Sequence, residues 1–314
     1  MIAADRDTVD CGMWIVGCGE RYNRAVGVGF LVLGAGLLAG DQRLPAILSR
    51  LGEEAEVFAR MAPDMVAQET LKQRARKMPR RFRPRLGNSA VQPPKPQYRT
   101  REIVSEYGYS MFRQAPGVLH EFRQVVSVDG RRIASVEGAR RTLSRGLRSE
   151  DDRLKKRMLE DFEKHGLTGA AADFGQVILL FGKRRLAEYA FSISGAGRIG
   201  ADAALILSFQ QTGGAGSLLI FDRRSALHQP LEGEIWVRQP DPLPLRIVLR
   251  STRKESDAVI RDEARVDYVV SPHGALAPVS VVHRQLAGDE LVVENLFQYS
   301  SFRKFSSETE VKFD

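Results

Sequence analysis

The chain has 314 residues, a formal net charge of +8 and 43% hydrophobic side chains, enough apolar material to bury a full core and too much for a disordered chain. Its two cysteines, Cys11 and Cys18, both precede residue 20, which excludes a disulfide framework, a thiolate metal site and a thiolate nucleophile from everything that follows. The basic excess suits anionic surfaces as partners, or simply an arginine-rich proteome.

In chain order, Arg21 and Arg24 precede an uncharged apolar run from Ala25 to Gly40, which Asp41 ends. A basic region, a short apolar stretch and small residues at its exit form a secretory signal, here expected over 1–40 with an over-extended N-terminus. The run is shorter than the roughly 20 apolar residues a spanning helix needs, so an exported, periplasmic protein is expected and an uncleaved anchor is the alternative. Residues 41–314 are then one domain. Over 43–61, Leu44, Ile47, Leu48, Leu51, Ala55 and Phe58 share a helical face, while Glu53, Glu54, Glu56 and Arg60 fall elsewhere. A strand follows in "VAQETLKQRAR".

Residues 77–98 carry five prolines among many Lys and Arg and are expected to form a solvated basic loop. Arg80, Arg81, Arg83 and Arg85 are its candidate membrane contacts. From Tyr98 the texture becomes β, with Asp129-Gly130 as a hairpin turn. A helical insertion over 139–166 interrupts it, with Ser149 as N-cap, Gly166 as stop and Leu154, Met158 and Phe162 as the buried stripe. Beyond residue 174 the runs "QVILLF", "LAEYAFSIS", "DAALILSFQQ", "GSLLIF", "GEIWVRQ", "LRIVLRST", "AVIRDEARVDYVV", "APVSVVHRQL", "DELVVENLFQYSSF" and "ETEVKF" read as strands of an antiparallel meander.

Gly195, Gly197 and Gly200 spell G-x-G-x-x-G after a strand, with Asp222 downstream. That is the spelling of a dinucleotide-binding turn, and a phosphate-bearing cofactor held there requires a helix from about Gly200. Residues 201–211 fit a strand as well, and no crossover helix follows Asp222. The glycines are therefore read as a hairpin connection, and no cofactor is expected.

The five histidines, His120, His165, His228, His273 and His283, are scattered, with none at the i, i+4 spacing of a helical zinc pair. His120-Glu121 and His283-Arg284 lie on strands, where each histidine is read as half-exposed; His165 is read as a cation at a helix C-terminus, and Glu150-Asp151-Asp152 and Asp262-Glu263 as solvated. Asn295 shares a strand face with Leu291, Val293 and Phe297, which makes it a buried polar group in need of a partner. Nothing assembles a nucleophile, a base and an orienting group, so neither catalytic nor metal-binding residues are assigned. What the β half can do is present an apolar face: Tyr189, Phe191, Leu205, Leu207, Phe209 and Phe297 are the candidate ligand-lining residues.

The order of elements, and the closing Tyr299, Phe302, Arg303 and Phe305 within "ENLFQYSSFRKFSSETEVKF", resemble the periplasmic lipoprotein-carrier (LolA/LolB-like) superfamily and its secreted relatives. The resemblance implies an α+β fold: a large curved antiparallel β-sheet, an unclosed barrel, packed on the N-terminal amphipathic helix and the inserted helix. It also implies a hydrophobic cavity for acyl chains. The chain departs from the carriers in its length, its basic loop and its helical insertion. The expected function is a non-enzymatic binding protein for a lipid or lipoprotein acyl chain, with an anionic membrane surface as a second partner and no nucleic acid. The alternatives are an envelope scaffold of the same fold with a filled core, and a dinucleotide enzyme using Gly195, Gly197 and Gly200.

Overall fold

The computed structural model describes residues 14–15, 42–77, 95–168, 174–214, 218–222, 225–255 and 258–304. Helix α1 spans Arg43–Met61, and Pro63 diverts the chain into a 3-10 turn, Ala62–Asp64, because its ring cannot continue a helix interior. Strands β2 (Met65–Arg76), β3 (Tyr98–Met111), β4 (Leu119–Val128) and the short β5 (Arg131–Arg132) follow as a meander. The β4–β5 turn places Asp129 at φ 50° and Gly130 at φ 77°, the paired positive angles that favour Asp-Gly in a two-residue hairpin. Helices α2 (Val136–Arg148) and α3 (Asp152–Glu163) come next.

The remaining strands are β6 (Tyr189–Ile199), β7 (Asp202–Gln211), β8 (Leu218–Asp222), β9 (Ser225–Gln229), β10 (Glu232–Arg238), β11 (Pro244–Glu255), β12 (Ala258–Val270), β13 (Leu276–Ala287) and β14 (Glu290–Lys304). Eleven strands form one sheet in the order β5-β4-β3-β2-β14-β13-β12-β11-β10-β7-β6, while β8 and β9 pair with the two-residue β1 (Trp14–Ile15) in a small second sheet. Every neighbouring pair of the large sheet is antiparallel. The sheet does not close on itself, so this is an α+β unclosed barrel. Its last strand pairs with β2, and Phe297 stands opposite Leu71.

The two faces of the sheet follow from side-chain alternation. On one face Leu71, Tyr107, Val281, Val266, Ile247, Ile235 and Leu207 join α1 in the main core. Much of the other carries ion pairs, such as Arg250 between Glu234 and Glu263 at 3.1 and 3.2 Å. Around β3 and β4 both faces are covered, because α2 packs on the second side: Phe122, Leu143, Leu147 and Met158 form a separate small core there. Gly146 lets the inserted helices meet, since a Cβ on it would lie 2.1 Å from the Met158 sulfur.

Three local expectations need correction. The run "QVILLF" is not a strand; Val177–Phe181 is a 3-10 segment, buried at four of its five positions, and a segment buried all round has no period to read. The N-cap of α3 is Asp151, whose carboxylate accepts from the Arg153 N–H at 2.9 Å. Ser149 instead ends α2 and accepts from the Asp151 N–H at 3.0 Å. Glu54 is buried on the core side of α1, with Arg50 at 2.7 Å compensating its charge.

Candidate functional site

Residues 174–182 run across the concave face between α3 and β6 and form a strap. A buried segment without a regular ladder must find partners for its backbone elsewhere, and here the sheet's side chains supply them. Glu121 Oε1 accepts from the Gly175 N–H at 2.7 Å. The Tyr268 hydroxyl donates to the Gly175 carbonyl at 3.1 Å and accepts from the Ile178 N–H at 3.2 Å. Gln176 Nε2 donates to the Leu119 carbonyl at 2.8 Å. Upstream, Gln73 holds both backbone groups of Thr168, at 2.9 and 2.8 Å.

Beneath the strap lies a buried ion cluster. Arg123 donates to both oxygens of Glu69 at 2.7 and 2.8 Å and to Glu121 Oε2 at 2.6 Å, and all three side chains are at most 3% exposed. Burial works against the guanidinium charge, yet the two carboxylates more than offset it and hold the Arg123 pKa well above its ordinary value. The guanidinium also stands 5.3, 5.1 and 5.8 Å from the ring centres of Tyr107, Phe162 and Phe297. Burial, followed by the nearby Glu121 charge, pushes Tyr107, Tyr109 and Tyr299 far above the usual phenol range, so all three are neutral hydroxyls at any physiological pH. The reading of His120 and His283 as half-exposed is corrected accordingly: they are 7% and 2% exposed.

A second polar row crosses β2, β14, β13 and β12. Gln73 donates to Asn295 Oδ1 at 2.7 Å, and Asn295 Nδ2 donates to His283 Nδ1 at 3.1 Å. These are the partners that a buried Asn295 required. Asp262 lies 3.7 Å from His283 and accepts from Arg253 and Gln285 at 2.6 and 3.0 Å. It is buried, not part of a solvated face; Asp152 is likewise engaged, accepting from the Arg113 and Gln114 N–H groups. Phe174 of the strap stacks on the His283 ring at 4.7 Å. At His165 burial and then Arg101 lower the pKa, which works against the cation expected at this helix end.

The candidate lining residues do not form one wall. Tyr189, Phe191 and Phe209 gather around Phe181 of the strap, with ring centres at 5.2, 6.1 and 5.0 Å. Leu205 and Leu207 lie in the same core, and Phe191 is only partly buried. Phe297 sits on β14, five strands away from β7, between Phe174 at 6.3 Å and Tyr299 at 6.4 Å. The space next to Tyr189 and Phe209 is thus filled by the chain's own Phe181. Arg80, Arg81, Arg83, Arg85, Phe305 and the run "ETEVKF" lie outside the described residues.

The glycine fingerprint has a structural explanation. Strand β6 continues to Ile199, Gly200 turns at φ +58°, and residues 202–211 are β7, so the helix a pyrophosphate site needs is a strand. Gly197 is small because the Trp236 indole lies over it; a Cβ there would come within 2.5 Å of the ring. Gly197→Val is expected to cost about 1–3 kcal/mol through overpacking, read as a lowered melting temperature. A variant melting with the wild type would mean that the indole does not pack on this strand.

The family-like ending is also accounted for. A bulge between Ser300 and Arg303, with Ser301 at φ 55°, turns the chain over. Tyr299 therefore points into the core, while Arg303 reaches the buried Glu106 at 2.7 Å, which Arg140 of α2 also approaches at 3.2 Å.

Sequence reasoning missed the cleft between α1, the strap and the β3–β4 turn. It has a volume of about 360 Å³, and its walls include Ala55, Ala59, Met111, Val118, Leu119, Gln176 and Leu179. Gly52 lets the strap's end approach α1, since a Cβ there would lie 2.8 Å from the Lys183 side chain. Of the charged residues at the cleft, Glu56 pairs with Lys183 at 3.2 Å and Arg185 with Glu188 at 3.2 Å. Among the described residues no group of His, Cys, Asp and Glu could hold a metal ion, and no helix is long and apolar enough to cross a membrane.

No family model matches the chain and no curated protein matches it in sequence. Among solved structures it is similar to a LolA superfamily protein of Nitrosomonas europaea, at 10% identity and TM-score 0.33 over 85% of this chain and 97% of that one. It is also similar to a DUF1329 family protein of Desulfovibrio piger, at 11% identity and TM-score 0.32 over 85% of this chain and 97% of that one. The first likeness names the superfamily that the chain's ending resembles. At this identity and superposition neither likeness carries functional weight.

Proposed function

We propose that this chain is an exported, non-enzymatic binding protein that takes a lipid or a lipoprotein acyl chain at the cleft between α1 and the strap. The observation that carries the reading is the cleft itself: about 360 Å³ with mainly aliphatic walls, at the lower end of the range for ligand pockets. The buried ionisable groups beneath the strap hold it in place, which argues for a structural rather than a catalytic use of them. Tyr189, Phe191, Leu205, Leu207 and Phe209 are the surface an acyl chain meets if Phe181 withdraws, and Phe297 lines the far end of the same concavity. In this reading residues 1–40 direct export to the periplasm, and Arg80, Arg81, Arg83 and Arg85 meet anionic headgroups. A scaffold with a filled core is the second reading, favoured by the packing of Phe181 on Tyr189 and Phe209.

Mass spectrometry of organic and aqueous extracts, after mild purification from the periplasm, separates the two. A stoichiometric acyl lipid is the expected result. Empty extracts from several preparations would leave the scaffold reading standing.

A further inference from the structure

Between Arg131 and Arg148 the chain carries six arginines and one carboxylate, Glu137. Arg140 is used internally, against the buried Glu106. The buried positions of α2 are Ala139, Leu143, Gly146 and Leu147. At 3.6 residues per turn Arg141, Arg145 and Arg148 therefore fall together on the opposite side, about one turn apart, and all three are exposed. Arg131 and Arg132 of β5 are exposed as well. Ile133, between them and the helix, is 52% exposed. On the sheet beyond, Arg250, Arg253, Arg261 and Arg284 each have a carboxylate within 3.2 Å. Arg131, Arg132, Arg141 and Arg145 have no such partner among the described residues.

The stripe from Arg141 to Arg148 covers about 10 Å of helix, and β5 extends the array past its N-terminus. Charges spread in this way do not converge on one small anion; they suit an extended anionic surface. Ile133 narrows the choice further. An aliphatic side chain held out among cations gains nothing from a soluble polyanion, whereas at a bilayer it leaves water below the level of the phosphates. We infer that β5 and the outer side of α2 form a docking surface for an anionic phospholipid bilayer, with the arginines on headgroup phosphates and Ile133 in the boundary beneath them. The inference rests neither on the acyl-chain reading nor on residues 77–98.

The test is co-sedimentation of the full chain with phosphatidylcholine vesicles containing about a quarter phosphatidylglycerol, and with pure phosphatidylcholine as the neutral control. The wild type is expected to bind the anionic vesicles and to be released by high salt. The double variant Arg141→Gln, Arg145→Gln is expected to bind roughly thirtyfold more weakly, two cations' share of the attraction. Ile133→Ser is expected to bind severalfold more weakly at high and low salt alike, because an apolar contact is not screened. Thermal melts of both variants should match the wild type, since all three positions are exposed. Unchanged binding of the double variant would overturn the inference; loss of binding on changing Arg80, Arg81, Arg83 and Arg85 to Gln would then assign the contact to the loop. Unchanged binding of Ile133→Ser would overturn the insertion of that side chain. No capture of the wild type by anionic vesicles, or equal capture by neutral ones, would overturn the docking surface altogether and leave the acyl-chain reading untouched.

Discussion

Arg123→Met is expected to lose about 3–5 kcal/mol of stability at neutral pH, a large part of the roughly 5–15 kcal/mol that a folded domain has. Glu69 and Glu121 are both buried, and Arg123 is the cation bonded to each. Removing the guanidinium leaves two carboxylates close together in an apolar core, where each disfavours the charge of the other. The pH dependence of the variant follows. With no cation beside them the two glutamates bind protons more tightly in the folded chain than in the unfolded one. The folded state then holds more protons, so stability falls as pH rises through the carboxylate range and is regained in mild acid. Urea midpoints of Arg123→Met are therefore expected to rise between neutral and mildly acidic pH. The triple variant Glu69→Gln, Glu121→Gln, Arg123→Met is expected to recover much of the loss, because glutamine at 121 can still accept from the Gly175 N–H. A single variant as stable as the wild type at neutral pH would mean that the cluster is not closed as described.

The strands of the C-terminal half were legible because they alternate, although β8 and β9 leave the meander for a second sheet: β12 reads "AVIRDEARVDYVV", and its burial follows the alternation at most positions. The α1 stripe was legible for the same reason at a different period. What escaped were elements whose environment has no period. The strap is buried at all its positions but Leu179 and Gly182, and so resembles a strand. Helix α2 offers two glycines and four arginines in thirteen residues, too little apolar signal to mark its start. The ion cluster left a trace that could have been used: Glu121 and Arg123 alternate with Leu119 and Val125 on β4, so a charged pair shares a face with core residues. Its third member, Glu69, lies far away in sequence and reaches the same place only because β2 pairs with β3. The cleft left no trace in sequence, since its walls come from three separate segments.

The strap also joins the site to the fold, and this gives Phe181→Ala the second large expected effect. Phe181 is fully buried, in contact with Tyr189, Phe191 and Phe209. Truncating it removes the transfer free energy of a ring and leaves a void, together about 3–5 kcal/mol. The void would open on the segment that also supplies Leu179 to the cleft wall. The acyl-chain and filled-core readings then diverge. If the concavity receives an acyl chain, Phe181 stands where the end of a longer chain would go, and its loss extends the accessible length. Phe181→Ala is then expected to bind hexadecanoate at least as tightly as dodecanoate, and hexadecanoate is expected to raise its melting temperature by mass action. If the core only fills the barrel, the variant loses the same stability and gains affinity for no chain length. Titration of both acids into wild type and variant, below the variant's melting temperature, distinguishes the two outcomes. The stability loss alone would not, since either reading requires Phe181 to be packed where it is.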